Sequence, residues 1–225
     1  MPKKPTPPTK IEQTTAAGRD AMLSDVPDGE LRKSDNTRMR ILNAAAYVLS
    51  QEGYAGTKLA DIARRADLRI STLYYYFASR EELVVAVLLT GSTQVRKHTE
   101  AALAALAPGI APIDRLAVAV ESHLRYVLEI SHYTEAAVRN AGQMPEHLRA
   151  EVEKEQARYG KIWQKLVDDA VMGKDYPSPN ERRALRLLIL GALNWTVEWW
   201  TPSRASVDEV VSAALKMTRR ALGAR

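Results

Sequence analysis

The chain has 225 residues, 46% of them hydrophobic, enough for one domain of moderate size or a small domain joined to a larger one. A net charge of +5 suits a polyanionic partner, and the absence of cysteine excludes disulfides, thiolate zinc sites and cysteine nucleophiles. The longest nonpolar stretch, Ala101 to Ile113, is broken by Pro108, Gly109 and Pro112 and falls short of a bilayer span. The N-terminal MPKKPTPPTK lacks the apolar core of a secretory signal, so a cytoplasmic protein with no membrane partner is expected.

Residues 1–33 stand apart. Prolines at 2, 5, 7, 8 and 27, scattered charges and few large apolar residues predict a disordered tail; Lys3, Lys4 and Lys10 leave open a basic arm that touches phosphates. From Asp35 onward the pattern is helical. Ile41, Ala45, Val48 and Leu49 form the inner stripe of a first helix that ends at Gly53. Thr57 is placed to cap a second helix, in which Leu59, Ile62, Ala63 and Ala66 recur at i, i+3, i+4 and i+7.

Asp67 and Leu68 then reverse the chain, aspartate being one of the few non-glycine residues that tolerates a left-handed backbone. In the short helix that follows, Leu73 and Phe77 point inward, leaving Arg69, Ser71, Thr72, Tyr74, Tyr75 and Tyr76 around its other sides. Three consecutive tyrosines cannot all join a core stripe, because each helical step turns about 100°, so at least one faces outward. Helix, tight turn and polar-aromatic second helix are the parts of a helix-turn-helix, whose second helix enters the major groove of DNA.

Here the chain resembles the TetR/AcrR family of one-component transcriptional regulators. The resemblance rests on Thr57 with Ile62-Ala63, on STLYYYF (Ser71 to Phe77) and on ASREEL (Ala78 to Leu83). It reaches back to Arg40-Ile41-Leu42, Ala44-Ala45 and Gly53-Tyr54. Two positions depart from the family pattern: Asp67 stands where glycine is usual, and Arg69 where a serine cap is usual. The resemblance implies a DNA-binding domain over residues 34–94, with the helix-turn-helix at about 58–77, and an effector-binding and dimerisation domain over 95–225. It also implies that Tyr74 and Arg80 anchor phosphates. Arg69, Ser71, Thr72 and Tyr75 are better placed for base edges, and Thr57, Lys58 and Tyr76 complete the DNA-facing set.

Ser79-Arg80-Glu81-Glu82 reads as a capping box opening a long helix with Leu83, Val87 and Leu88. After Pro108-Gly109, one helix carries Leu116, Val120, Leu124, Val127 and Leu128. Pro145 suits the first turn of the next, where Tyr159, Trp163, Leu166 and Ala170 share a side. Ser178-Pro179-Asn180-Glu181 opens a helix over about 180–200 that is apolar almost all round, and Ser206 with Glu209 opens the last, with Val207, Val210, Val211, Ala214, Leu215 and Leu222 inward. No period-2 pattern and no repeat is present, so the class is all-α.

Two apolar helices at the end of a DNA-binding chain need another surface. A second subunit supplies it, joined through the helices near 180–200 and 206–222, with Leu215 and Val211 as positions where a charge would break the contact. A monomer that packs these faces internally is the alternative. Candidate effector contacts are His123, Tyr126, Tyr133, Arg139, Trp163, Asn194, Trp195 and Trp199, each of which also fits an ordinary core position. Asn194 is the most telling, because an amide inside the run Leu187–Trp195 must find a polar partner in the protein or in a ligand.

The segment LNWTVEWWTP (Leu193 to Pro202) resembles the end of the ligand domain in family members that respond to acyl-CoA thioesters, which makes such a thioester the first effector class to consider. Lys154, Arg158, Lys161, Lys165, Arg182, Arg183 and Arg186 offer cations for its phosphates, or form the solvated sides of two ordinary helices. The common phosphate-loop, dinucleotide, nucleophile-elbow and zinc-protease motifs are absent, and His98, His123, His132 and His147 show no metal-ligand spacing. The expectation is a homodimeric, ligand-responsive repressor of a palindromic operator, not an enzyme, with no cofactor and no metal. The alternatives are an architectural DNA binder without effector and a helical enzyme whose site is scattered along the sequence.

Overall fold

A computed structural model describes residues 33–171 and 178–222 of the chain, and in these residues nine α-helices and no strand are found. The proposed tail, apart from Lys33, lies outside the described residues. Helix α1 (Lys33–Gly56) is regular as far as Gly53, whose φ of 69° ends it where the sequence predicts. Thr57 does not cap the next helix. Its hydroxyl turns back to donate to the Gly53 carbonyl at 2.7 Å, and extended Lys58 occupies the cap position of α2 (Leu59–Arg65) with no side-chain bond.

Asp67 adopts the expected left-handed turn, with φ 52°, and Arg40 donates to the Ala66 carbonyl at 2.6 Å to hold it. Helix α3 (Ile70–Tyr76) follows, with Leu73 and Phe77 packed among Ile41, Leu49, Ile62 and Ala63. Each such buried Leu or Phe side chain contributes about 1.5–3 kcal/mol. Ser79 caps α4 (Arg80–Ala104) by accepting from the Glu82 amide at 3.0 Å, while the Glu82 carboxylate reaches one residue further back than a standard capping box, to the Ala78 amide. Helix α4 runs without interruption through residue 94, so the expected domain boundary falls inside a continuous rod.

Helix α5 (Pro112–Arg125) passes into a π-helical turn, Tyr126–Ile130, and extended Ser131 separates it from α6 (His132–Asn140), a helix the sequence reading omits. Two 3-10 turns come next, Ala141–Gln143 and Glu146–Leu148. Pro145 therefore precedes a short turn rather than the long helix α7 (Ala150–Val171). Helices α8 (Pro179–Trp199) and α9 (Val207–Ala221) both begin with the capping boxes read from the sequence.

The buried residues form two clusters. One joins α1–α4 with α6 through Tyr133, Ala136 and Ala137; the other joins α5, α7, α8 and α9 around Trp163, Leu124 and Leu193. Helix α6 thus belongs to the core of the N-terminal helical unit although it comes late in sequence. It approaches α4 so closely that a Cβ at Gly91 would lie 2.1 Å from the Tyr133 carbonyl oxygen. Among the described residues no helix is long and apolar enough to cross a membrane.

Candidate DNA-reading surface and effector region

Helix α3 turns its polar-aromatic side to solvent. Tyr75 is 83% exposed and Tyr74 55%, while Tyr76 is half-buried and meets Tyr75 edge-on at 5.2 Å. Arg69, Ser71 and Lys58 are exposed and Thr72 is half-buried, so these side chains form one accessible rim around α3 and the start of α2. Thr57 is the exception among the DNA-facing candidates: it is buried, its hydroxyl engaged by Gly53, so its side chain does not reach the surface.

Arg80 is less free than a bare phosphate anchor. Its Nε donates to the Thr57 carbonyl at 2.8 Å, Nη2 donates to the Tyr54 carbonyl, and Nη1 pairs with Glu81 at 3.2 Å. The guanidinium also lies 4.5 Å from the centre of the Tyr54 ring. Arg80 is therefore a clamp that gathers the carbonyls at the end of α1 and fixes the start of α4 against them.

In the C-terminal half, a chain of polar groups crosses the apolar core. Thr99 and the Tyr159 hydroxyl are 2.8 Å apart, Tyr159 and His123 Nδ1 3.1 Å, and His123 Nε2 and the Asn194 side-chain oxygen 3.0 Å. The amide oxygen can only accept, so Nε2 carries the imidazole proton, Nδ1 accepts from Tyr159, and Tyr159 accepts from Thr99. Burial lowers the His123 pKa to about 4, against the opposing pull of the Asn194 bond, and raises the Tyr159 phenol to about 12. The imidazole is neutral at physiological pH. Trp163, fully buried, stands edge-on to His123 at 5.8 Å and to Tyr159 at 6.0 Å.

The eight effector candidates divide into three places. His123, Trp163 and Asn194 come together in this network, with Tyr126 on the same helical run, tilted against His98 at 4.5 Å. Tyr133 and Arg139 lie instead in the seam with the N-terminal helices α1 and α4. Tyr133 is buried there and donates to Asn43 at 2.6 Å, and Arg139 is engaged by Ser50, Val197 and Glu198. Trp195 and Trp199 point outward, 65% and 38% exposed. They line a groove of about 590 Å³ between α8 and α9 with Leu193, Val210, Ala214 and Met217.

Sequence reasoning missed Thr99 and Tyr159 as network members. Tyr159 precedes Trp163 by one turn, which signals a shared face but not a polar one.

The basic side chains of α7 and α8 are largely paired: Lys154 with Glu151, Arg158 with Glu155, Lys165 with Asp169 and Arg182 with Asp168. Of these partners Glu155 is buried, and the others lie on exposed or half-exposed helix sides. Among the described residues no group of three or more His, Asp or Glu is placed to hold a metal ion.

The comparisons with known proteins agree with this geometry. Residues 41–87 match the family model described as bacterial regulatory proteins of the tetR family, and residues 109–222 match the tetracyclin repressor-like C-terminal domain. The HTH-type transcriptional repressor KstR of Rhodococcus jostii is 25% identical over 209 residues, covering 91% of this chain and 93% of that protein.

Among solved structures, AibR in complex with isovaleryl coenzyme A and operator DNA aligns at 19% identity with a TM-score of 0.71, covering 80% of this chain and 97% of its own. FadR of Bacillus subtilis in complex with stearoyl-CoA aligns at 18% with a TM-score of 0.66, over 80% and 97%. These two likenesses establish the fold. With both halves matched, the second over half of its length, the chain belongs to the TetR family of DNA-binding transcriptional regulators.

Proposed function

We propose that the protein is a homodimeric repressor that holds a palindromic operator and leaves it when a small hydrophobic effector, an acyl-CoA thioester in the first instance, binds the C-terminal half. The observation that carries this reading is an apolar face of α8 and α9 that the rest of the chain leaves exposed. Leu188, Ala192, Trp195 and Trp199 form one exposed stripe of α8, with exposed Gly191 beside it to admit a close neighbour, and Ala213 and Met217 continue it on α9. Large apolar surface left in water costs about 25 cal/mol per Å², so a second copy related by a two-fold axis is the economical cover. Such a dimer carries two α3 helices and reads two half-sites, which a single short helix could not discriminate.

The effector half of the reading is supported by the His123–Asn194 network, a set of polar side chains inside the apolar core of the C-terminal half whose bonds a ligand could exchange. The thioester class is supported by the ligands held in the AibR and FadR structures and by the Leu193–Pro202 resemblance. Repression then follows from linkage. The effector prefers the DNA-incompetent arrangement, so DNA weakens effector binding by the same factor.

The test is to select duplexes from a random pool with the protein and add isovaleryl-CoA, stearoyl-CoA or free CoA. Acyl-CoAs should release a palindromic duplex and free CoA should not. Binding that no acyl-CoA disturbs would refute the thioester class, and selection of no sequence at all would favour an architectural binder.

A further inference from the structure

Arg139 closes two helices at once. The C-terminal carbonyls of α1 lack partners within a helix that stops at Gly53, and α6 supplies some: Asn140 donates to the Leu49 carbonyl at 3.2 Å and Arg139 Nη1 donates to that of Ser50. The same guanidinium donates through Nη2 to the Val197 carbonyl, in the last turn of α8, and through Nε to Glu198 at 3.1 Å. Two helix ends, each with the negative end of its dipole, thus converge on one planar cation, which Glu135 flanks at 3.5 Å. One of these helices carries the DNA-reading head and the other carries the exposed Trp195–Trp199 face.

We infer that Arg139 is a positioning residue that sets the reading head in register with the α8 face and thereby fixes the spacing at which the two recognition helices of a dimer present themselves. This rests on the dimeric regulator reading above. Asn194 precedes Val197 and Glu198 by three and four residues, on the same side of α8, so a molecule that draws Asn194 away from His123 shifts the groups that Arg139 holds. The route from the effector region to α1 is then one helical turn and one side chain long. Lysine reproduces it only in part, because a single ammonium keeps the charge but does not span three acceptors in the fork geometry of a guanidinium.

The experiment uses the full chain, a palindromic duplex selected by the wild-type protein, the same duplex with one base pair inserted between half-sites, and a single half-site. The rigid wild-type dimer should lose about tenfold or more on the insertion, since misplacement removes the advantage of the second contact. Arg139→Gln, checked for helicity and dimer mass, should bind the half-site within about twofold of wild type. It should lose about tenfold on the full site and no longer distinguish the inserted duplex. Arg139→Lys should recover part of the discrimination.

Retained spacing discrimination in a folded Arg139→Gln dimer overturns the proposal, as does an equal loss on half-site and full site. Should Arg139→Gln fail to fold, Arg139→Lys decides: spacing discrimination equal to wild type overturns the proposal and a reduced one supports it. Selection of no duplex by the wild type overturns the regulator reading instead. Amide exchange over residues 46–53 then judges the tie alone: faster exchange in the variant supports it and unchanged exchange overturns it.

Discussion

His123 Nε2 and the Asn194 side-chain oxygen lie 3.0 Å apart, joining α5 to α8 across 71 residues of sequence through a neutral, fully buried imidazole. The folded pKa of about 4 lies below the ordinary value of 6.5, so the unfolded chain takes up this proton first as pH falls. Stability from the buried neutral ring is intact above pH 6.5 and is lost progressively down to about 4. The shift corresponds to about 3 kcal/mol at most. Urea unfolding at pH 7.5, 6 and 5 should show His123→Phe less stable at neutral pH yet with a flatter acid dependence than wild type. Parallel curves would place the acid sensitivity elsewhere.

Substitutions on the two C-terminal helices should separate assembly from folding. Val211 is buried in the subunit's own core and Leu215 packs against it, so both are poorer probes of a subunit contact than the sequence suggested. Val211→Glu should destabilise the subunit itself by several kcal/mol, roughly the cost of an unpaired buried charge. Trp195→Glu, on the exposed stripe, should leave helicity and unfolding midpoint near wild type and yield monomers in sedimentation. A Trp195→Glu protein that remains dimeric would move the interface to another face.

On the reading head, Tyr75→Ala should alter which duplexes are preferred, because the side chain is the most exposed tyrosine on α3 and has little to lose in folding. Arg80→Ala should behave differently. It removes the clamp on Thr57 and Tyr54 as well as a cation, so binding should weaken on all sequences and thermal stability should fall by about 1–3 kcal/mol. A loss of DNA affinity with unchanged stability would return Arg80 to the role of simple phosphate anchor.

Gly91→Ala should be among the most damaging single-methyl additions. The new Cβ would meet backbone, the Tyr133 carbonyl, which cannot rotate aside as a side chain could. Overpacking of this kind costs about 1–3 kcal/mol or more, and α4 and α6 should separate. Gly142→Ala, whose Cβ meets nothing within 4 Å, is the matched control in a thermal melt.

Local chemistry was legible where it was self-contained. The capping boxes at Ser178 and Ser206, the stop at Gly53 and the left-handed Asp67 each depend on a few neighbouring residues, and each formed as read. Thr57 was misjudged because α2 begins one residue later than read, with Lys58 at its cap, and the Thr57 hydroxyl donates back to the Gly53 carbonyl. Helix α6 was missed because no proline or glycine separates it from α5. The break at Ser131 accompanies the packing of Tyr133 and Thr134 onto α1 and α4, which is tertiary information.

The candidate site was less legible than the fold for the same reason. Arg139 finds acceptors 58 to 89 residues away, and no spacing announces them. The apolar character of α8 was plain, but which of its sides lies in the subunit core and which faces water depends on where α7 and α9 pack.

The placement of the four tryptophans decides what light emitted by this protein reports. Trp163 alone touches the His123 network; Trp195 and Trp199 stand on the outer stripe, and Trp200 is held by the Ala205 carbonyl at 3.0 Å in the loop that leads to α9. Most of the intrinsic emission therefore originates near the face assigned to the second subunit. Its colour should follow protein concentration through assembly, blue-shifting as the stripe leaves water. A variant that keeps Trp163 and carries phenylalanine at 195, 199 and 200 would instead watch the interior, and the two signals together would time effector arrival against any rearrangement at the dimer face.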